Sequence, residues 1–214
     1  MKQSPNYGPQ DFQSATGVSR ETLDRLSALV DLLTKWNAKT NLVSNTTLPD
    51  VWRRHVLDSA QIVPLLPKKG PIVDLGSGAG FPGLVMAIMG AADVHLVEAD
   101  IKKATFMREA ARVTGTAVTV HATRIEKLPK MTATAVTARA LASLTELLDL
   151  SSPLFAIDTI GVFLKGQNVA FELTEAHKIW RMRVDQHASI SDPSGTVICI
   201  REVARVESAP VKSG

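Results

Sequence analysis

Cysteine is almost missing from this chain: Cys199 stands alone among 214 residues, which excludes an internal disulfide. The five histidines are scattered, and no Cys or His cluster has zinc-ligand spacing, so no metal site is expected. Long apolar runs are also missing, and no stretch approaches the ~18 residues of a membrane span. The N-terminus lacks a basic region followed by an apolar one, so it does not read as a secretory signal. Neither internal repeats nor low-complexity tracts occur outside the tails. Charge is not strongly biased: the net value of +3 permits an anionic partner such as nucleic acid without requiring one. What remains is 45% hydrophobic and 21% charged residues, ordinary for a globular protein. A cytoplasmic, monomeric enzyme of one main domain is the expectation.

Residues 1–18 are polar and rich in Gly, Ser, Gln and Pro, and are expected to be a poorly ordered tail. Ser19 is placed to cap a helix in which Leu23, Leu26, Val30 and Leu33 recur at helical spacing, with Trp36 extending the stripe. A second helix is expected from Thr47 to Leu65 or Leu66, so that 19–68 form a helical N-terminal cap. From residue 69 to 206 the pattern changes to alternation. Strand-like runs at 72–75, 94–99, 117–122, 133–140, 159–165 and 196–203 are separated by helical segments, with a further strand expected between 185 and 190. Asp100 and Gly115 bracket one of these helices as N-cap and stop. Such alternation predicts an α/β fold with a mostly parallel, doubly wound sheet. Residues 207–214 are expected to be a C-terminal tail.

The first strand runs into Gly76-Ser77-Gly78-Ala79-Gly80-Phe81-Pro82-Gly83. Glycines here let the chain turn sharply and let a cofactor approach the backbone. Two cofactors fit this pattern. Gly78, Gly80 and Gly83 satisfy the dinucleotide spacing G-x-G-x-x-G, with Glu98 where a ribose-binding acid falls, so a nicotinamide-dependent oxidoreductase is one reading. The other is a methyl donor. Asp74 precedes the loop in D-x-G-x-G-x-G, which resembles the first motif of class I S-adenosylmethionine-dependent methyltransferases, where the acid orients the cationic methionine end. Glu98 at the end of its strand is either the acceptor for both ribose hydroxyls or a surface acid.

Larger segments narrow the choice. KWNAKTNLVS (35–44), RHVLDS (54–59), IVDLGSGAGFPG (72–83), RIEKL (124–128), ARALASL (138–144) and LKG (164–166) together resemble the RsmG (GidB) family over roughly residues 30–170. The resemblance implies a class I, Rossmann-like S-adenosylmethionine-dependent methyltransferase acting on 16S rRNA in the small ribosomal subunit. Its target would be N7 of one guanosine, conventionally numbered 527. Carried over by motif, Gly76 and Phe81 contact the cofactor, Ile125 and Glu126 border the adenosine, and Arg139 lies at the active site near the methyl donor. Asp74, Gly78 and Glu98 complete the expected cofactor set.

The residues are compatible with a ring-nitrogen target. An Asn/Asp-Pro-Pro-aromatic motif for exocyclic amines is absent, since that position reads Thr137-Ala138-Arg139-Ala140. Methylation at cytosine C5 needs a cysteine nucleophile, and Cys199 lies in an apolar strand-like run. Arg139 falls at the end of the fourth strand, beside the crevice where open sheets bind ligands, and its loss is expected to spare folding and reduce turnover. Arg53, Arg54, Arg124 and Lys165 are the candidate RNA contacts, with Lys102 and Lys103 nearby. His55 and Asp58 are expected to share a hydrogen bond that braces the cap, or to act directly. Trp36 and Trp52 fit the core better than a base-stacking role.

Overall fold

The computed structural model describes residues 7–206. Chain order begins with helices α1 (Pro9–Thr16) and α2 (Arg20–Asn37). Ser19 caps α2, its hydroxyl accepting from the Thr22 amide at 3.1 Å. The expectation of a poorly ordered 1–18 fails at α1, where the Gly8 amide donates to the Asp11 carboxylate at 2.8 Å. Phe12 is fully buried there, 5.6 Å from the Trp52 ring. Residues 1–6 lie outside the described residues, as does the expected tail at 207–214.

The single helix expected from Thr47 onward is instead a series of short pieces. A 3-10 turn at Leu48–Asp50 is followed by a π-helix at Trp52–Leu57, a short α-helical turn α3 (Asp58–Ala60) and a second 3-10 turn at Val63–Leu65. Pro49 and Pro64 sit in the first turns of the two 3-10 segments, where a missing amide proton costs no ladder bond.

The sheet comprises β1 (Ile72–Leu75), β2 (Val94–Glu98), β3 (Thr119–Ala122), β4 (Ala135–Arg139), β5 (Ile160–Lys165), β6 (Trp180–Ala188) and β7 (Thr196–Arg205). Its order is β3-β2-β1-β4-β5-β7-β6, with β7 antiparallel to both neighbours and the other pairings parallel. The strand expected at 185–190 begins earlier, at Trp180. Helices α4 (Gly83–Ile88) and α5 (Ile101–Val113) cover one face, and α6 (Leu144–Ser151) and α7 (Val169–Ala176) the other. Asp100 caps α5 through the amides of Lys102 and Lys103, at 2.7 and 3.2 Å. The apolar stripe of α2 (Leu26, Leu29, Leu33) joins the same core as Phe106 and Met107 of α5, so the cap and the sheet share one apolar interior. Trp36 packs on Phe106 at 5.6 Å, and Trp52 and Cys199 are buried. No helix among the described residues is long and apolar enough to cross a membrane.

β1 and β4 are neighbours, yet the chain leaves them toward opposite sides of the sheet, placing the topological switch point between Leu75 and Ala138. Ligands of open α/β sheets bind outside the carboxyl ends of the strands at such a point.

Candidate active site

Two cavities open at the switch point. The smaller, about 420 Å³, is lined by Val97, Glu98, Lys103, Arg124, Ile125, Glu126 and Leu150. The larger, about 720 Å³, is lined by the cap segment Leu42–Thr47, by Arg54, His55, Asp58 and Phe81, and by the exits of β4 and β5. Gly76, Gly78, Ala140 and Leu141 line both and form the ridge between them. Gly76 and Gly78 have φ of +62° and +57°, in the left-handed region where a Cβ is strained. At Gly76 a Cβ would also stand 2.5 Å from Leu141 Cδ1.

Glu98 faces the smaller cavity and is held at both oxygens: Oε2 accepts from the Gly78 amide at 2.9 Å and Oε1 from the Asp100 amide at 2.8 Å. Each oxygen keeps a second lone pair. Ile125 is half-buried beside it, and Glu126 and Arg124 are exposed at the rim.

Asp74 is where expected in the sequence but does not reach either cavity. It is fully buried behind the loop, Oδ1 accepting from the Thr137 hydroxyl at 2.8 Å and Oδ2 from the Gly83 amide at 3.2 Å. The expected direct contact with a ligand is thereby corrected to bracing of the glycine loop. This placement also bears on the cofactor. A carboxylate occupies the underside of the α4 entry, where a dinucleotide fold offers amides to a pyrophosphate.

Arg139 is the hub of the larger cavity. Nη1 donates to the Arg54 carbonyl at 3.0 Å and to Asp58 Oδ2 at 3.3 Å, and Nη2 donates to His55 Nδ1 at 2.9 Å. Guanidinium has only donors, so His55 Nδ1 must accept. The ring proton therefore sits on Nε2, which donates to Thr47 Oγ1 at 2.9 Å. Burial, then the charges of Arg139 and Arg54, push the His55 pKa down to about 3, keeping the ring neutral. Phe81 lies beneath, 5.1 Å from the His55 ring and 5.3 Å from the guanidinium carbon. The expected His55–Asp58 hydrogen bond is replaced by a bridge through Arg139. Asp58 is further held by the Ser191 hydroxyl at 2.5 Å and Gln61 Nε2 at 2.9 Å. The cap, β4 and the β6–β7 turn thus meet in one polar network.

Of the expected RNA contacts, Arg54 lines the larger cavity and pairs with Asp192 at 2.5 Å, and Arg124 stands exposed at the smaller one. Two others are corrected. Arg53 packs over the Tyr7 ring at 5.3 Å and lines neither cavity. The Lys165 side chain is only 7% exposed, held by Glu172 at 2.5 Å and by the Ala142 carbonyl at 2.9 Å, so it is part of the cleft wall. Among the described residues no group of three or more His, Cys, Asp and Glu is arranged to hold a metal.

With this geometry in place, comparison with known proteins is decisive. The family model GidB, described as rRNA small subunit methyltransferase G, matches residues 22–200. The chain belongs to this family. It is 53% identical over 202 residues to the ribosomal RNA small subunit methyltransferase G of Rhodospirillum centenum, covering 94% of each chain. Against the Rhodospirillum rubrum protein of the same name it is 51% identical over 198 residues, covering 92% of this chain and 98% of that one. Among solved structures, a ribosomal protein L11 methylase from Lactobacillus delbrueckii aligns with TM-score 0.55 at 18% identity, covering 71% of this chain and 77% of that one. TYW2 of P. horikoshii, solved with MeSAdo, aligns with TM-score 0.56 at 14% identity, covering 70% and 62%. These last two share the fold. Nothing in the comparisons supports the oxidoreductase reading, which is set aside.

Sequence reasoning missed Thr137, Gln61, Glu172 and Ser191. Thr137 left a signal, being a polar residue flanked by apolar ones inside its strand and the register partner of Asp74. Gln61, three residues after Asp58, had only that spacing to mark it, and Glu172 and Ser191 come from elements far along the chain and left none.

The Asp74 environment sets a measurable pH dependence. Burial, partly offset by the Thr137, Ser77 and Gly83 hydrogen bonds, pushes its carboxyl pKa from 3.8 up to about 6. The folded state then holds a proton that the unfolded chain releases, so stability falls as pH rises from about 4 to 6, by about 3 kcal/mol in all. His55 works in the opposite sense, its depressed pKa costing stability as pH falls from 6.5 toward 3. The Asp74→Asn variant is therefore expected to gain on the parent from pH 4 to about 6, to hold that gain above it, and to melt no lower at pH 8. A constant difference between the two unfolding curves across that range would refute the buried, protonatable carboxyl.

Proposed function

We propose that this chain transfers a methyl group from S-adenosylmethionine to N7 of a single guanosine of 16S rRNA in the small ribosomal subunit. The observation that carries the reading is the pair of cavities meeting at one ridge of Gly76, Gly78, Ala140 and Leu141. A nucleoside cofactor fits the smaller cavity. Val97, Ile125 and Leu150 offer apolar contact to a flat ring, and the fixed Glu98 carboxylate has lone pairs left for a vicinal diol. The larger cavity takes the target nucleotide, with Arg139 and Phe81 on its floor near the ridge.

When bound, S-adenosylmethionine supplies an electrophilic methyl group, and guanine N7 carries an unprotonated lone pair at neutral pH. No general base is needed, which agrees with a neutral, hydrogen-bonded His55 and a fully engaged Asp58. The protein's work is alignment and exclusion of water. Arg139 ties the cap over the cleft through Arg54, His55 and Asp58. Arg54 and Arg124 remain the candidate phosphate contacts, since both residues are exposed and line the cavities.

The test uses labelled S-adenosylmethionine with 16S rRNA and with small subunits from cells lacking the modification, followed by chain cleavage at N7-methylguanosine. Label at one guanosine is the expected result. Tight cofactor binding with no transfer to either substrate would overturn the RNA target and leave the fold assignment standing.

A further inference from the structure

Lys165 and Glu172 form an ion pair that the reaction described so far does not use. Lys165 ends β5, and its neighbour Leu164 is the register partner of Arg139, so the pair lines the same cleft beside the arginine hub. Glu172 comes from α7, on the opposite side of the sheet from the cap. Its Oε2 accepts a hydrogen bond from the Leu144 amide at 2.7 Å and stands 2.5 Å from Lys165 Nζ in the ion pair. Lys165 also donates to the Ala142 carbonyl at 2.9 Å. These three contacts fix both side chains and the turn at the exit of β4, where Ala140 holds a φ of +50° unusual for a residue with a Cβ.

An ammonium has three donors and a carboxylate two oxygens. Lys165 Nζ donates to the Ala142 carbonyl and pairs with Glu172 Oε2, the oxygen that also accepts from the Leu144 amide. One N–H of Lys165 and Oε1 of Glu172 have no partner among the described residues, and both residues face the cleft at 7% and 20% side-chain exposure. The pair thus presents one donor next to one acceptor on a rigid, largely dehydrated wall. Guanine presents the complement on its Watson–Crick edge, the O6 acceptor beside the N1–H donor. Adenine presents the reverse, an amine donor beside the N1 acceptor. A site built to hydrogen-bond one pattern rejects the other strongly, because its own buried polar groups are left unpaired.

We propose that Lys165 and Glu172 read the target base, Lys165 donating to O6 and Glu172 Oε1 accepting from N1–H. This rests on the guanosine methyltransferase reading above. The purine N7 is then free to face the ridge, since N7 lies on the other edge of the ring from N1.

The experiment compares methyl incorporation into small subunits carrying guanosine, inosine or adenosine at the target position, with the wild-type chain and with Glu172→Gln. Inosine keeps O6 and N1–H and lacks only the 2-amine. Wild type is expected to use inosine within about tenfold of guanosine and to use adenosine at least about 10³-fold less well. The Glu172→Gln side chain keeps an oxygen for Lys165 and Leu144 and turns an amide donor toward the base. Its guanosine-to-adenosine preference is expected to fall at least about tenfold with unchanged cofactor affinity, while its unfolding midpoint drops because the nearly buried Lys165 charge loses its partner. Equal loss on both bases would make the pair a brace for the β4 exit and overturn the proposal. So would wild-type use of adenosine on a par with guanosine, a result that needs no variant to fold. No wild-type transfer to any of the three would overturn the functional reading, and the proposal with it.

Discussion

Replacing Arg139 with alanine is expected to lower kcat/KM for methyl transfer by about 10²-fold or more and also to lower the unfolding midpoint. The second half departs from what the sequence suggests, since an arginine at a strand end beside a crevice reads as purely functional. In the structure it is a buried strut. It donates to the Arg54 carbonyl, Asp58 and His55 Nδ1, so its loss strips three acceptors of a partner at once. Removing one member of a buried charge pair costs ~3–5 kcal/mol when the other is left alone. Asp58 is not left alone, because Ser191 and Gln61 still donate to it and its side chain is 20% exposed. A smaller cost of about 2 kcal/mol follows, or ~4–8 °C in a chain of this length. Arg139→Lys separates the two effects. One ammonium can keep the Asp58 charge company but lacks the planar fork that holds three acceptors apart. Stability is expected to return in part while turnover stays low. Calorimetry and single-turnover rates on both variants decide it, and a lysine variant with wild-type rates would show that the fork is not needed.

The same residue shows what was legible in the sequence and what was not. Its place at the end of β4 followed from the alternation of strands and helices, because parallel βαβ units leave few topologies open. Its partners did not, since Arg54 and Asp58 precede it by 85 and 81 residues and no local spacing announces them. Lys165 fails for the same reason. A lysine after a strand reads as a rim cation, and only the packing of α7 brings Glu172 onto it and draws it inward. The glycine loop was legible because close backbone approach and positive φ force the residue type itself. The helix α1 was not, because an eight-residue segment whose one large apolar side chain is Phe12 carries almost no apolar periodicity. What orders it is burial of that one ring against Trp52. The broken cap after Thr47 was also hidden. Its apolar residues suit a helix, and the interruption comes from two prolines together with a π-helical stretch whose Arg54 carbonyl accepts from Arg139.

Gly83→Ala and Gly78→Ala are expected to fail in opposite ways, although both glycines belong to one loop. Gly83 has no positive φ, so alanine suits its backbone at the first turn of α4. The obstacle is contact. A Cβ there would stand 2.1 Å from Leu96 Cδ2 and 2.8 Å from Asp74 Oδ2, both of residues fully buried in adjacent strands. Neither neighbour is a loose side-chain end with room to swing. Overpacking of this kind costs ~1–3 kcal/mol, and pushing α4 away also breaks the Gly83 amide bond to Asp74, leaving a buried carboxyl short of a donor at ~1–3 kcal/mol more. A loss of about 3–5 kcal/mol corresponds to roughly 8–15 °C in midpoint. Gly78 faces open space, its nearest neighbour being the Gly76 carbonyl at 3.8 Å, but its φ is +57°. Alanine there costs ~1–2 kcal/mol of backbone strain and places a methyl group on the ridge shared by both cavities. The Gly78 variant is therefore expected to melt roughly 2–8 °C below wild type, less than Gly83→Ala, and to bind S-adenosylmethionine at least about tenfold more weakly. Thermal scans and titration calorimetry on the two variants read both quantities. If Gly83→Ala melts normally, α4 does not press on β1 and β2 as described. If Gly78→Ala binds the cofactor unchanged, the ridge is not where the ligand crosses.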